Sequence, residues 1–114
     1  MESRPAPPAP EVMVVIPQVR LDASASPVLE RTLAQLEAQG ATKIVLNFTG
    51  TNYISSSSLR VILVHTRKLR REGGDLKLCC LMDKVARVMQ IAGFDAVLGI
   101  FADENLAVQA FRNP

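Results

Sequence analysis

Four consecutive serines, Ser55 to Ser58, are the residues of this chain whose type and position are best suited to chemistry. They follow Tyr53-Ile54 and precede an apolar run that repeats every three to four residues, which predicts that they open a helix. Hydroxyls at such a position suit three roles: a nucleophile, a phosphoacceptor, or a helix cap. The other reactive residues of the chain narrow this choice.

The spacing of His65, the one histidine of the chain, argues against a serine nucleophile. A nucleophilic serine needs a base within hydrogen-bonding distance. Ser58 and His65 would lie on one helix about 10 Å apart along its axis, which is too far for that contact. The sequence also has no G-x-S-x-G, G-x-x-x-x-G-K-[ST] or G-x-G-x-x-G motif. We therefore expect no enzymatic activity, and we expect His65 to be a partly exposed helix residue.

Cys79 and Cys80 are the remaining reactive pair. Adjacent residues of a strand point to opposite faces, so a disulfide between them would need unusual backbone geometry. Two thiols without further cysteines or a pair of histidines do not make a zinc site. We expect both to be small buried side chains, and we expect no metal and no cofactor.

The composition limits the classes of partner. A formal net charge of +2 is too small to indicate nucleic acid or a membrane surface, and no apolar run approaches the roughly 20 residues that span a bilayer. No signal-peptide pattern opens the chain, so we expect a cytoplasmic protein with no membrane insertion. A basic run, Arg67-Lys68 and Arg70-Arg71, would complement the helix dipole at the end of the second helix. A docking surface for a protein partner is its alternative role.

The hydrophobic pattern predicts the architecture. Residues 1–11 are rich in proline and alanine without periodicity, which predicts a flexible tail before a domain over residues 12–114. Strand patterns at 12–19, 42–48, 75–81 and 96–101 alternate with helical patterns that begin near residues 27, 59, 84 and 103. This order is typical of an α/β fold with a four- to five-stranded, mostly parallel sheet and about four helices.

The residues themselves leave two roles open for the serines. Ser55, Ser56 or Ser57 can cap the second helix by accepting a hydrogen bond from a free N–H, but one serine would suffice for that. A phosphoryl group at the same place would gain from the helix dipole and add up to two negative charges to a neutral surface. Such a group could switch partner binding without refolding the domain.

Several stretches in a fixed order extend this pattern from about Val12 to Phe111. They are Leu21-Asp22 before the first helix, "IVLNF" before the serine loop, the loop itself as Tyr53-Ile54-Ser55-Ser56-Ser57-Ser58-Leu59, "GGDLKL" after the second helix, and "VARVMQIAGF" in the third. In order and spacing they resemble the STAS domain, the family of the anti-sigma factor antagonists. The resemblance implies a STAS-like single domain that acts in signalling and transcription regulation.

The resemblance also implies a function. It suggests a phosphoprotein that captures a serine-kinase-type anti-sigma factor, with Ser56 as phosphoacceptor and Ser57 as a second candidate. A phosphatase would reset the switch, and a second copy of the chain is a further candidate partner. The implied docking surface consists of Asn52, Tyr53, Ser55, Ser56, Ser58 and Arg60.

This chain departs from the family pattern at three of these positions. Ser55 replaces the usual aspartate, Ser58 a glycine and Arg60 a small residue. Ser55 can still cap the helix but has no negative charge, and Arg60 could pair with a phosphate on Ser56. An alternative function is therefore a constitutive STAS adaptor of a transport ATPase or signalling scaffold, without a phosphoswitch. A third is a binder of small anions or nucleotides through the N–H groups of the loop.

Overall fold

The computed structural model describes residues 1–113 and confirms the predicted α/β architecture. In chain order the elements are β1 (Glu2–Ala6), β2 (Ala9–Ile16), β3 (Arg20–Leu21), α1 (Ser26–Ala38), β4 (Lys43–Asn47), β5 (Tyr53–Ile54), α2 (Ser56–Arg71), β6 (Asp75–Cys79), α3 (Asp83–Ile91), a 3₁₀ turn (Phe94–Ala96), β7 (Gly99–Phe101) and α4 (Glu104–Arg112). Five strands form one sheet in the order β1-β2-β4-β6-β7, and β3 pairs with β5. All neighbours in the large sheet are parallel except the antiparallel pair β1 and β2.

The sheet separates two apolar layers, and the central strand β4 contributes to both. Ile44 and Leu46 point into the larger core, which α1, α2 and α3 cover, whereas Val45 points into the smaller core beneath α4. Successive side chains of a strand point to opposite faces, so a strand covered on both sides must be continuously apolar. The run from Ile44 to Leu46 meets this requirement and is fully buried.

The structure differs from the predicted flexible tail over residues 1–11, because Glu2–Ala6 forms β1 and pairs with β2. The prolines that suggested a tail are compatible with this strand because β1 lies at the edge of the sheet, where one side of the backbone has no partner. Ala6 and Ala9 are buried in the smaller core. Arg4 also donates a 2.7 Å hydrogen bond to Glu104 of α4. The proline-rich segment is therefore part of the fold.

His65 is also placed differently from its prediction, since it is buried rather than partly exposed. Its Nε2 lies 2.7 Å from a carboxylate oxygen of Glu30, and its Nδ1 lies 2.5 Å from one of Glu37. Both carboxylates belong to α1, and Glu37 also accepts a 2.9 Å hydrogen bond from Lys68. Sequence periodicity could not reveal this arrangement because the partners of His65 lie about 30 residues away. We name Glu30, Glu37, His65 and Lys68 the ionic cluster.

The cysteines occupy the end of β6. Cys79 is buried as predicted, whereas Cys80 is half-buried and adopts a positive φ of 63°. Their sulfur atoms are 3.4 Å apart and both thiols are free. Burial raises the pKa of the Cys79 thiol, and the hydrogen bond from Cys80 adds to that effect. Cys79 is therefore poorly suited to act as a nucleophile.

Gly74, in the turn between α2 and β6, packs closely against the backbone just before β4. A Cβ atom at Gly74 would lie 1.8 Å from the carbonyl oxygen of Thr42, so no larger residue fits without moving the backbone.

Within residues 1–113, no helix is both long enough and apolar enough to cross a membrane.

Candidate functional site

The loop before α2 is held in place by the segment that precedes α1. The backbone N–H groups of Asn52 and Ser55 donate to the carbonyl oxygens of Val19 and Leu21, each over 2.8 Å. The buried side chain of Thr51 donates to the carbonyl of Gln18 over 3.0 Å. The segment from Gly50 to Ser58 contains the short strand β5, and its last residues, from Ser56, belong to α2.

Ser55 is the helix cap. It has extended backbone angles, and its Oγ accepts a 3.2 Å hydrogen bond from the backbone N–H of Ser58. This geometry is typical of an N-cap residue, whose side chain replaces the missing backbone acceptor of the first turn. The structure thus confirms the capping role that the sequence left open and assigns it to Ser55.

Three further hydroxyls form a connected network with Ser55. The Oγ of Ser26, at the start of α1, lies 2.7 Å from that of Ser57 and 2.8 Å from that of Ser58. Ser58 also donates to the carbonyl of Leu21 over 3.1 Å, and the Oγ atoms of Ser55 and Ser57 are 3.0 Å apart. We name Ser26, Ser55, Ser57 and Ser58 the serine network. It joins the N-termini of α1 and α2 with neutral hydrogen bonds.

Ser56 lies outside the serine network. It is the first residue of α2, is exposed to solvent, and makes no side-chain hydrogen bond within residues 1–113. Ser57 is half-buried, and its hydroxyl contacts two others at 2.7 and 3.0 Å. Modification of Ser57 would have to disrupt these contacts, whereas modification of Ser56 would disrupt none of those described. The four serines of the sequence therefore differ in their availability.

An exposed cation–π pair, Arg20 and Tyr53, borders the loop. Tyr53 is 42% exposed, and the Arg20 guanidinium lies 4.3 Å from the centroid of its ring. The two residues are directly opposite in the β3–β5 pair, which explains the contact. Asn52 and Arg60 are also exposed. Four of the six predicted docking residues are therefore exposed, whereas Ser55 is half-buried and Ser58 is fully buried.

No pattern in the sequence marked Ser26 or Arg20 as a member of the site. Ser26 lies in "DASASP", a stretch that indicates only the start of a helix. Its contacts with Ser57 and Ser58 span more than 30 residues, so no local pattern could have predicted them. Arg20 could have been suspected once the parallel β3–β5 pair was known, because register then places it opposite Tyr53.

A carboxylate, Asp22, lies just before the N-terminus of α1, the second helix that contributes to the site. Asp22 accepts hydrogen bonds from the Ser24 hydroxyl and the Ala25 N–H, over 2.7 and 3.1 Å. The Ser24 hydrogen bond, followed by the backbone N–H groups, lowers the pKa of the Asp22 carboxyl. Asp22 is therefore a fixed negative charge near the start of α1.

The surface beside the loop offers little volume for a small ligand. A hollow of about 110 Å³ lies between the loop and α3, lined by Asn52, Tyr53, Ile54, Lys84, Val85 and Val88. Ligand pockets for nucleotide-sized molecules are usually larger than about 300 Å³. Among residues 1–113, no group of three or more histidine, cysteine or acidic residues is arranged to hold a metal ion. The exposed features of this site suit a protein surface better than a small molecule.

Comparisons with known proteins agree with this arrangement. The chain is 36% identical over 84 residues to the Bordetella bronchiseptica protein BtrV, whose name assigns it to the anti-sigma factor antagonists; the match covers 74% of this chain and 72% of BtrV. It is 29% identical over 89 residues to the anti-sigma-B factor antagonist of Bacillus subtilis, covering 78% and 81% of the two chains.

Solved structures share the fold. The anti-sigma factor antagonist SpoIIAA in its unphosphorylated form superimposes with a TM-score of 0.77 at 25% identity, over 90% of each chain. The phosphorylated form of Bacillus SpoIIAA gives a TM-score of 0.68 over 88% of this chain and 90% of that one. The family model of the STAS domain matches residues 4–107, which include both helices of the site and the loop between β4 and α2. The chain therefore belongs to the STAS domain family.

Proposed function

We propose that this chain is a cytoplasmic anti-sigma factor antagonist that binds a serine-kinase-type anti-sigma factor and is released from it by phosphorylation of Ser56. The loop from Asn52 to Ser58 and the exposed face of α2 form the docking surface. The chain itself catalyses nothing, because it serves as the substrate of the kinase and as its binding partner. A phosphatase returns it to the binding state.

The exposure of Ser56 is the observation that carries this proposal. A kinase must reach the hydroxyl and align it with the transferred phosphoryl group, which a side chain without internal hydrogen bonds permits. At the first position of α2, a phosphate lies near the free N–H groups and the positive end of the helix dipole. The relatives named as anti-sigma factor antagonists support the same kind of partner.

The test starts from host lysate, with the wild-type chain and Ser56→Asp as parallel baits. Any ATPase retained by the wild type is then purified and titrated calorimetrically against both chains. We expect Ser56→Asp to weaken binding at least about tenfold, or about 1.4 kcal/mol. Equal affinity for both chains would instead favour a constitutive adaptor.

Phosphorylation is measured separately, by intact-mass spectrometry after incubation of the purified kinase with ATP. We expect one added phosphoryl group on the wild type and on Ser57→Ala, and none on Ser56→Ala. A phosphoryl group that remains on Ser56→Ala would show that another hydroxyl is the acceptor.

A further inference from the structure

The exposed face of α2 carries a row of residues that starts at Ser56 and includes three arginines. At 3.6 residues per turn, Ser56, Arg60, Val64, Arg67 and Arg71 fall within an arc of about 80° and extend over about 22 Å. All five are exposed, with Val64 at 52%. We name Arg60, Val64, Arg67 and Arg71 the arginine row. The opposite face of α2, which includes Leu59, Ile62 and Leu69, is buried in the core.

The cations of α2 divide into two groups by their partners. Lys68 pairs with Glu37 over 2.9 Å and Arg70 pairs with Asp75 over 2.8 Å, so both serve to attach α2 to its neighbours. Arg60, Arg67 and Arg71 form no ion pair within residues 1–113. No acidic residue lies in α2 to offset them. Their charges are therefore available to a partner.

We infer that the arginine row binds an acidic surface of the protein partner, with Val64 as its apolar contact. This inference rests on the proposed function, since the row extends the same docking surface beyond the loop. Charge complementarity identifies the chemistry of the partner: carboxylates spaced along about three helical turns match three unpaired guanidinium groups. A nucleic acid fits less well, because the row lacks aromatic side chains for base stacking.

The position of Ser56 at one end of the row links the surface to its regulation. A phosphate on Ser56 lies one helical turn from Arg60, the spacing at which charged side chains interact on a helix. Such a phosphate binds the guanidinium of Arg60 and adds about two negative charges where the partner places its own. Phosphorylation therefore removes one cation from the row and repels the acidic partner.

The test uses the purified serine-kinase-type anti-sigma factors of the host as probes, at roughly 50 and 300 mM salt. The variant Arg67→Glu/Arg71→Glu changes the two residues of the row that lie farthest from Ser56. The matched control, Arg31→Glu/Arg112→Glu, changes the net charge by the same amount. Like the variant, it alters one residue inside a helix and one residue at the last position of a helix. Circular dichroism and thermal unfolding verify that both variants are folded.

We expect the Arg67→Glu/Arg71→Glu variant to bind at least about tenfold more weakly at the lower salt concentration, mainly through slower association. The control should stay within about twofold of the wild type. The difference between variant and control should shrink at the higher salt concentration, where exposed charges are screened. Equal binding by variant and control would overturn the inference.

The outcomes separate this inference from the proposed function. If Ser56→Asp abolishes binding but Arg67→Glu/Arg71→Glu does not, the phosphoswitch stands and the inference of an acidic partner surface is wrong. If no anti-sigma factor binds the wild type, both the proposed function and this inference are wrong. A parallel titration uses a DNA duplex of about 20 base pairs. Binding of the duplex that depends on Arg67 and Arg71, with unchanged binding of the anti-sigma factor, would assign the row to nucleic acid and overturn the inference.

Discussion

Helices α1 and α2 are joined at two places that differ in chemistry. At their N-termini, the serine network connects them through neutral hydroxyls 2.7 to 2.8 Å apart. About two helical turns further along, the ionic cluster connects them through His65, whose two ring nitrogens both face carboxylates. One joint is neutral and lies beside the exposed Ser56, whereas the other is charged and lies away from the loop.

This difference shows how the site can accept a new charge. The phosphorylation proposed for Ser56 would add negative charge next to hydroxyls, which carry none and can donate as well as accept hydrogen bonds. The ionic cluster meanwhile keeps the two helices together at a distance where that charge is screened. The neutral joint is thus compatible with the proposed modification, whereas the charged joint holds the two helices together away from it.

Removal of His65 should have the largest effect on stability. His65→Ala leaves the buried Glu37 carboxylate, 4% exposed, with Lys68 as its remaining partner and opens a cavity. The loss of a hydrogen-bonding partner by a buried carboxylate, together with the cavity, usually costs about 3 kcal/mol or more. Urea denaturation should show this loss, whereas Glu30→Gln, at the half-exposed carboxylate, should cost less than about 1 kcal/mol. Similar values for both variants would mean that the ionic cluster is not the stronger joint.

Removal of the Ser58 hydroxyl should weaken the neutral joint. Ser58 is fully buried, and Ser58→Ala deprives the Leu21 carbonyl and the Ser26 hydroxyl of a hydrogen-bonding partner. We expect a loss of about 1.5 kcal/mol in the free energy of unfolding, measured by urea denaturation. Hydrogen exchange should also show faster opening of the first turns of α1 and α2. An unchanged free energy would mean that the serine network does not hold the helices together.

High pH should weaken the charged joint selectively. The hydrogen bond to Glu37 raises the pKa of Lys68 above its ordinary value of 10.5, so the folded chain binds this proton more tightly than the unfolded chain. The pair therefore stabilises fully below that value, and its contribution is lost as the pH rises through the raised pKa. The difference in unfolding free energy between the wild type and Lys68→Gln should thus decrease between about pH 9 and pH 12. A constant difference over this range would contradict the role of the pair.

Ser56→Ala should have the smallest effect on stability. The side chain is exposed and lies outside the serine network, so the free energy of unfolding should change by no more than about 0.5 kcal/mol. Ser57→Ala is the matched comparison, because it removes a hydroxyl with two hydrogen-bonding contacts from the next position. A larger loss for Ser56→Ala than for Ser57→Ala in urea denaturation would reverse the division between the exposed serine and the network.

The sequence by itself determined the alternation of strands and helices. The continuous apolar run at residues 44–46 predicted a strand covered on both faces, and the serines before a periodic apolar run predicted a capped helix. These features follow from local rules, because side-chain direction repeats every 2 residues in a strand and every 3.6 in a helix. Capping likewise involves residues three apart, as between Ser55 and Ser58.

The tertiary structure decided the features that depend on distant residues. Ser26 contacts Ser57 and Ser58 and leaves Ser56 exposed. His65 is buried against Glu30 and Glu37. Ser26, Glu30 and Glu37 all belong to α1. The proline-rich segment became a strand because β2 offered a free edge. Local periodicity gives the face of a helix that is buried but not the residues that it meets, since these are set by how whole elements pack. For this reason the sequence predicted the serine site, and the fold distinguished Ser56 within it.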